Sequence, residues 1–250
     1  MRFTKSQASS KLLFTFILLL FHQVSQAQIN ELSGKLGSKP SEAQIQSGIK
    51  EALEKATDLT VDRLSVENGF LQNPDIKILF PPEARKVEST LRKIGLGNVA
   101  DDVITSLNRA AEDAAKEAKP IFTDAIKSMT LKDVQQILLG EQNAATNYFQ
   151  KTTSDSLAVK FSPKIDQSLS KTDATKIWES AMENYNKLPF VKPVETDLTK
   201  YVTDKAIEGL FVEIAKEEVE IREKIGARTS PLLQSVFGYA EQEKIKDPKK

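Results

Sequence analysis

The sequence predicts an all-α protein: a single irregular multi-helix globular domain with one short extended segment near residues 70–80. Three observations carry this. Apolar residues recur at helical spacing through most of the chain after residue 40, proline and glycine interrupt them at short intervals, and Ile76–Phe80 is a lone short β-prone run. Neither a composition break nor an internal repeat divides the chain, so residues 41–238 read as one domain.

The helix that organises the rest starts near Asn98. Its apolar stripe is Val99, Ala100, Val103, Ile104, Leu107, Ala110, Ala111, Ala114, Ala115 and Ala118. The second half is nearly all alanine, which lets a neighbouring helix approach its backbone closely. Asn98 is its expected cap, with Asp101 and Asp102 in the first turn, where the helix dipole favours acids. Pro120 forces a break because the residue before a proline avoids helical geometry. A new stripe follows through Ile121, Phe122, Ala125, Ile126 and Met129. Thr130 with Asp133 marks the next N-terminus and Gly140 its C-cap. Ala144, Ala145, Tyr148 and Phe149 are the buried face of a short helix after it.

Upstream, Ser41 and Gln44 have capping-box spacing and open a helix with Ile45, Ile49, Ala52, Leu53, Ala56 and Leu59 inward. VENGFLQNPDIKILFPPEA then carries turn signals at Gly69 and Asn73–Pro74. It reads as an extended segment laid over the helices and anchored by Phe70, Leu71, Ile78 and Phe80. Glu83–Ile94 returns to helix, with Val87, Leu91 and Ile94 inward, and Gly95 and Gly97 end it.

Downstream, Thr152–Asp155 reads as a further helix start ending near Phe161. Ser162–Pro163 then opens another helix, with Ile165 and Leu169 inward. Asp173–Leu188 is amphipathic through Ala174, Ile177, Trp178, Ala181, Met182 and Tyr185, and Trp178 is assigned to the core. LPFVKPVET is a proline-rich connector, and Thr196 or Asp197 caps the last long helix. Leu198, Val202, Ala206, Ile207, Leu210, Phe211 and Ile214 bury its first two-thirds, while KEEVEIREK reads as a solvated extension. Thr229–Ser230–Pro231 starts a final short helix with Leu232, Leu233, Val236 and Phe237, and residues 239–250 are expected to be a disordered tail.

Residues 1–27 stand apart as a secretory signal peptide. Arg2, Lys5 and Lys11 precede an apolar run over Leu12–Phe21, and Ser25 and Ala27 fit a cleavage site after Ala27. That run is too short to span a bilayer. No transmembrane segment is therefore expected after cleavage, and the protein is expected to be periplasmic or extracellular. Residues 28–40 are a polar, flexible leader. The chain has 35 basic and 35 acidic residues, and loss of the three basic ones brings the net charge to about −3. Interspersed charges of that balance give no footprint for nucleic acid and no clustered basic tract for anionic lipid.

Cysteine is absent and the one histidine, His22, lies in the signal peptide. That excludes disulfides, a lipid-modified cysteine, histidine- or cysteine-based nucleophile systems and ordinary structural zinc. Neither an EF-hand loop nor a phosphate-binding glycine loop occurs, so no cofactor or metal is expected.

Several stretches taken together, GFLQNPDIKI, LRKIGLG, SLNRAAEDAAKEAKPIFTDAIKSMT, AATNYFQKTTSDSL and YVTDKAIEGLFVEIAKEE, resemble an uncharacterised bacterial family catalogued as domain of unknown function 4197. The resemblance covers nearly all of the chain after the signal. It implies an exported, mostly helical bacterial protein and brings no catalytic residues with it.

The polar residues of those stretches form the candidate site. Asn108 and Glu112 are four apart on one helix face, with Arg109 between them; Thr153, Asp155 and Lys205 are the residues expected to approach them. One reading is a polar cluster for an anionic or sugar ligand, with Arg109 as a fork-shaped donor. The other is a structural network, with Arg109 paired to Asp155 and Thr153 and Asp155 capping a helix. For the whole protein three functions stay open. They are a non-catalytic binding or interaction module of the cell envelope with a protein partner, a carrier of an apolar small molecule between helices, and a carboxylate-based hydrolase of envelope polysaccharide.

Overall fold

The computed structural model describes residues 39–172, 174–187 and 197–246. The signal peptide, nearly all of the leader and the 188–196 connector lie outside the described residues. So do the side chains of Ala174, Ala181, Met182 and Tyr185. The helices are α1 (Glu42–Leu64), α2 (Arg85–Lys93), α3 (Gly97–Ala115), α4 (Ala118–Lys127), α5 (Leu131–Leu139), α6 (Ala144–Leu169), α7 (Ala174–Asn186), α8 (Leu198–Glu223) and α9 (Pro231–Lys246). Short 3-10 turns cover Pro82–Ala84 and Ile225–Ala227. No strand occurs among the described residues.

The alanine stripe of α3 does what its composition predicts. Ala110, Ala111, Ala114 and Ala115 are fully buried, and α3 packs on α6 and α8, which also pack on each other. Phe122 of α4 packs at a tilt against Phe149 of α6, ring centres 5.0 Å apart, and meets Phe211 of α8 edge-on at 6.4 Å, tying three helices into one core. Residues 65–81 form the expected non-helical strap, in successive turns from Val66 to Lys77 and extended only over 77–81. Phe70, Ile76, Ile78 and Phe80 are buried along it, and Phe80 lies 6.0 Å from the ring of Trp178, itself buried.

Local caps appear where the sequence places them. Thr130 and Asp133 form a reciprocal capping box, Asp197 accepts from the Lys200 amide at 2.9 Å, and Ser230 accepts from the Leu233 amide at 3.1 Å. Other boundaries differ. Asn98 caps nothing, because α3 already starts at Gly97. The turn before it is made by Gly95 at φ +85°, with Leu96 N–H bonded to Leu91 O and Gly95 N–H to Arg92 O, a Schellman closure of α2. Gly140 does terminate α5, with an extended backbone.

The three helices expected between residues 144 and 169 are one. Pro163 lies inside α6, where a proline costs about 3 kcal/mol. Leu157, Phe161, Ile165 and Leu169, each four apart and all buried, carry the helix on through it, and their combined burial outweighs that penalty. KEEVEIREK is not a solvated extension either: Glu218 and Ile221 are buried within α8. The last helix also runs on to Lys246, through most of the segment read as tail. Its Ala240 is buried and its Glu241 pairs with Arg228, which donates to the carbonyls of Ile221 and Arg222 and lies over the Phe237 ring. Leu59, Ile94 and Ile177, read as inward-facing, are all exposed.

Candidate functional site

Asn108 and Glu112 share the face of α3 that meets the strap, and both are buried. The Asn108 amide pairs with the strap as another strand would. Its Oδ1 accepts from Ile78 N–H at 2.9 Å, and its Nδ2 donates to Ile78 O at 2.8 Å and to Ile104 O at 2.7 Å. One turn on, Glu112 Oε1 accepts the amides of Phe70 and Leu71 at 3.0 and 3.1 Å. Its Oε2 accepts from Arg109 Nη1 at 2.6 Å. Arg109 continues outward to Glu67 at 2.9 Å and to the Asn68 side chain at 3.0 Å. A tight turn supplies these contacts: Asn68 sits at φ +71°, in the left-handed region that asparagine tolerates.

A second carboxylate grips the same strap from α8. Glu213 Oε1 accepts from Asn73 Nδ2 at 3.0 Å and from Lys216 Nζ at 2.6 Å, while Oε2 pairs with Arg63 of α1 at 3.0 Å. Lys216 also reaches Asp75 at 2.5 Å. Hydrogen bonds to Asp75 first and Glu213 second hold its ammonium above the ordinary lysine range. Between the two grips, Gly209 lets the strap lie on α8. A Cβ there would stand 2.8 Å from the Phe70 ring and 3.1 Å from Ile76 Cβ.

A third buried carboxylate, Glu218, caps α6. It accepts the amides of Ala145 and Thr146 at 2.9 Å and the Thr146 hydroxyl at 2.8 Å. Its partner Arg222 donates to it at 2.7 Å and reaches back to the Ile137 and Leu138 carbonyls at the end of α5. One ion pair thus satisfies the orphan groups on both sides of the α5–α6 turn.

The six residues read as a candidate cluster do not converge. Asn108, Arg109 and Glu112 form one network, but Asp155 is not the partner of Arg109. Arg109 already has Glu112 three residues away, and Asp155 is exposed on α6. Asp155 lines an open groove of about 760 Å³ with Asp124, Asp133, Tyr148 and Val159. Thr153 lines the same groove, but its hydroxyl donates to the Phe149 carbonyl in its own helix at 2.6 Å and caps no helix. Lys205 pairs with Glu208 at 2.5 Å on α8, beside the outer face of the strap.

Sequence reasoning missed Glu213 and Arg222, and it counted Glu218 among the available acids but placed it in a run read as solvated. The signal was present: Leu210, Glu213 and Ile214, then Glu218 and Ile221, recur at helical spacing on the apolar side of α8. Among the described residues no group of three or more acidic side chains is placed to hold a metal ion, and no helix is long and apolar enough to cross a membrane.

Neither curated proteins nor solved structures yield a match to this chain. A family model does match, over residues 39–238, and the chain therefore belongs to the family described as protein of unknown function (DUF4197).

Proposed function

We propose that this chain is an exported protein of the cell envelope that acts by binding and not by catalysis. One observation carries the second half of this reading. The buried carboxylates Glu112, Glu213 and Glu218 all have oxygens engaged by backbone amides, side-chain amides or cations of the protein's own fold. A carboxylate-based hydrolase needs two acids facing a substrate across a cleft. These three face the strap and a helix terminus instead. The chain after residue 27 also has no histidine or cysteine to supply other acid–base or nucleophilic chemistry.

The carrier reading receives less support. The apolar cavity lined by Ile49, Leu53, Ile137, Ile214 and Phe237 measures about 20 Å³, room for a single water. An acyl chain requires a cavity more than ten times that size.

Export is tested by N-terminal sequencing of the protein recovered from its host. A mature chain starting at Gln28 outside the cytoplasm is expected, and an uncleaved cytoplasmic chain overturns that half. Catalysis is tested by incubation with envelope polysaccharides. Turnover that disappears in Asp124→Asn or Asp155→Asn, the exposed acids of the open groove, overturns the binding reading.

A further inference from the structure

Helix α2 carries four basic residues within nine positions, in the segment RKVESTLRK. Arg92 is neutralised by Glu88 and Asp101, at 2.9 and 2.8 Å. Arg85, Lys86 and Lys93 are exposed and have no ion pair among the described residues. Lys86, Ser89, Thr90 and Lys93 follow spacings of three and four, so they share one outward face of the helix. Glu88 lies on the other side, with Arg92. No residue of α2 is fully buried, and Val87 and Leu91 pack only partly against the core.

The helix ends in an apolar tip. Ile94 is 64% exposed and Leu96 43%, one on each side of Gly95 in the Schellman turn. Two large apolar side chains on a tight turn next to unpaired cations suit one kind of surface, an apolar layer beneath a layer of negative charge. We propose that the α2 arm docks on an anionic lipid surface. Lys86 and Lys93 face the phosphates, with Arg85 beside them, while Ile94 and Leu96 enter the headgroup layer. This inference names a partner for the envelope-binding reading and rests on it. The balanced whole-chain charge and the lack of a longer basic tract conceal the feature, which is confined to α2, where four basic residues stand against Glu88 alone.

Flotation of the purified protein with vesicles tests it directly. Binding is expected to vesicles containing 30% phosphatidylglycerol (an illustrative, roughly one-in-three anionic fraction), to weaken as salt is raised, and to be far weaker on pure phosphatidylcholine. Lys86→Gln with Lys93→Gln should lower partitioning about 25-fold, at about fivefold per cation near the surface. Ile94→Ser with Leu96→Ser should lower it roughly 30-fold, about half of each apolar side chain being free to bury. All four positions are exposed, so folding is preserved.

Ile94→Trp adds a reporter. Native Trp178 is 2% exposed and its emission will not respond to vesicles, so a blue shift on vesicle addition reports entry of the tip. Absence of flotation with anionic vesicles overturns the proposal. Flotation without a blue shift means adsorption by charge alone and overturns it too. Binding to polyglutamate but not to vesicles assigns the face to an acidic protein instead. A negative vesicle result leaves the export and non-catalytic reading standing, since that is read from the mature N-terminus and from turnover.

Discussion

Replacing Glu112 with alanine should destabilise the protein by about 3–5 kcal/mol, the usual consequence of removing one partner of a buried charged network. The structure shows where that comes from. Glu112 is 4% exposed at its side chain and accepts two strap amides and one guanidinium N–H. The alanine variant strands the Phe70 and Leu71 amides, each about 1–3 kcal/mol when buried and unpaired. The strap cannot lift away to hydrate them, because Phe70, Ile76 and Ile78 anchor it in the core. Glu112→Gln keeps an acceptor oxygen for both amides but loses the charge and turns an NH2 toward Arg109 in place of Oε2, so about 1–2 kcal/mol is expected. With a urea slope of about 2 kcal/mol/M, the alanine variant should unfold roughly 1.5–2.5 M earlier. Hydrogen exchange gives the local readout: the Phe70 and Leu71 amides should lose protection beyond the global change. An alanine midpoint equal to wild type, or equal shifts for alanine and glutamine, would refute the clamp.

Three further outcomes follow from the same geometry. Arg109→Ala should lower stability by only about 1 kcal/mol, well below a buried ion pair, because the Arg109 side chain is 31% exposed and water can replace it at Glu112; a urea midpoint loss as large as that of Glu112→Ala would contradict this. Gly209→Ala should cost about 1–3 kcal/mol by overpacking against Phe70 and Ile76, and an unchanged midpoint would show that the strap does not lie on α8 this closely. Hydrogen bonds from the Thr130 hydroxyl, then the Thr130 amide, hold Asp133 below the usual carboxylate range. Its contribution is therefore complete above the unfolded value near pH 4 and is lost as pH falls through the lowered folded value. Asp133→Asn should be less stable by about 0.5–1 kcal/mol at neutral pH. Urea titrations should show that gap closing in acid, and a gap constant to about pH 2 would remove the capping role.

What the sequence made legible was local. The Thr130–Asp133 box, Asp197 and Ser230 are decided by contacts within four residues; the box forms as read, Asp197 takes the place left open between it and Thr196, and Ser230 caps within the start read at 229–231. The strap was legible because Gly69, Asn73–Pro74 and Pro81–Pro82 leave little else for residues 65–81 to be, while its large apolar residues need burial. Pro163 misleads for the opposite reason. Its local preference is to start a helix, yet four core side chains spaced across it continue one. The partner of Arg109 lay three residues away, where helix geometry puts it, and the choice of Asp155 needed a tertiary placement that spacing cannot give. Glu218 was hidden by its neighbours, since a run of charge reads as solvated even when one member falls between Ile214 and Ile221 on the apolar face.

The clamps also bear on where function can reside. Asn108 and Glu112 of α3 and Glu213 of α8 hold the strap from two helices, and Gly209 lets it sit close. The strap leads through Pro81 and Pro82 straight into α2, so fixing the strap fixes the base of that arm. Most of the polar groups that a ligand-binding interior would require are already bonded to backbone or to one another. The proposed recognition surface accordingly lies outside the strap, on the α2 arm whose base the buried network positions. On that logic the conspicuous polar residues of α3 hold the fold, and the proposed docking face is made of the exposed cations and apolar tip beyond the strap.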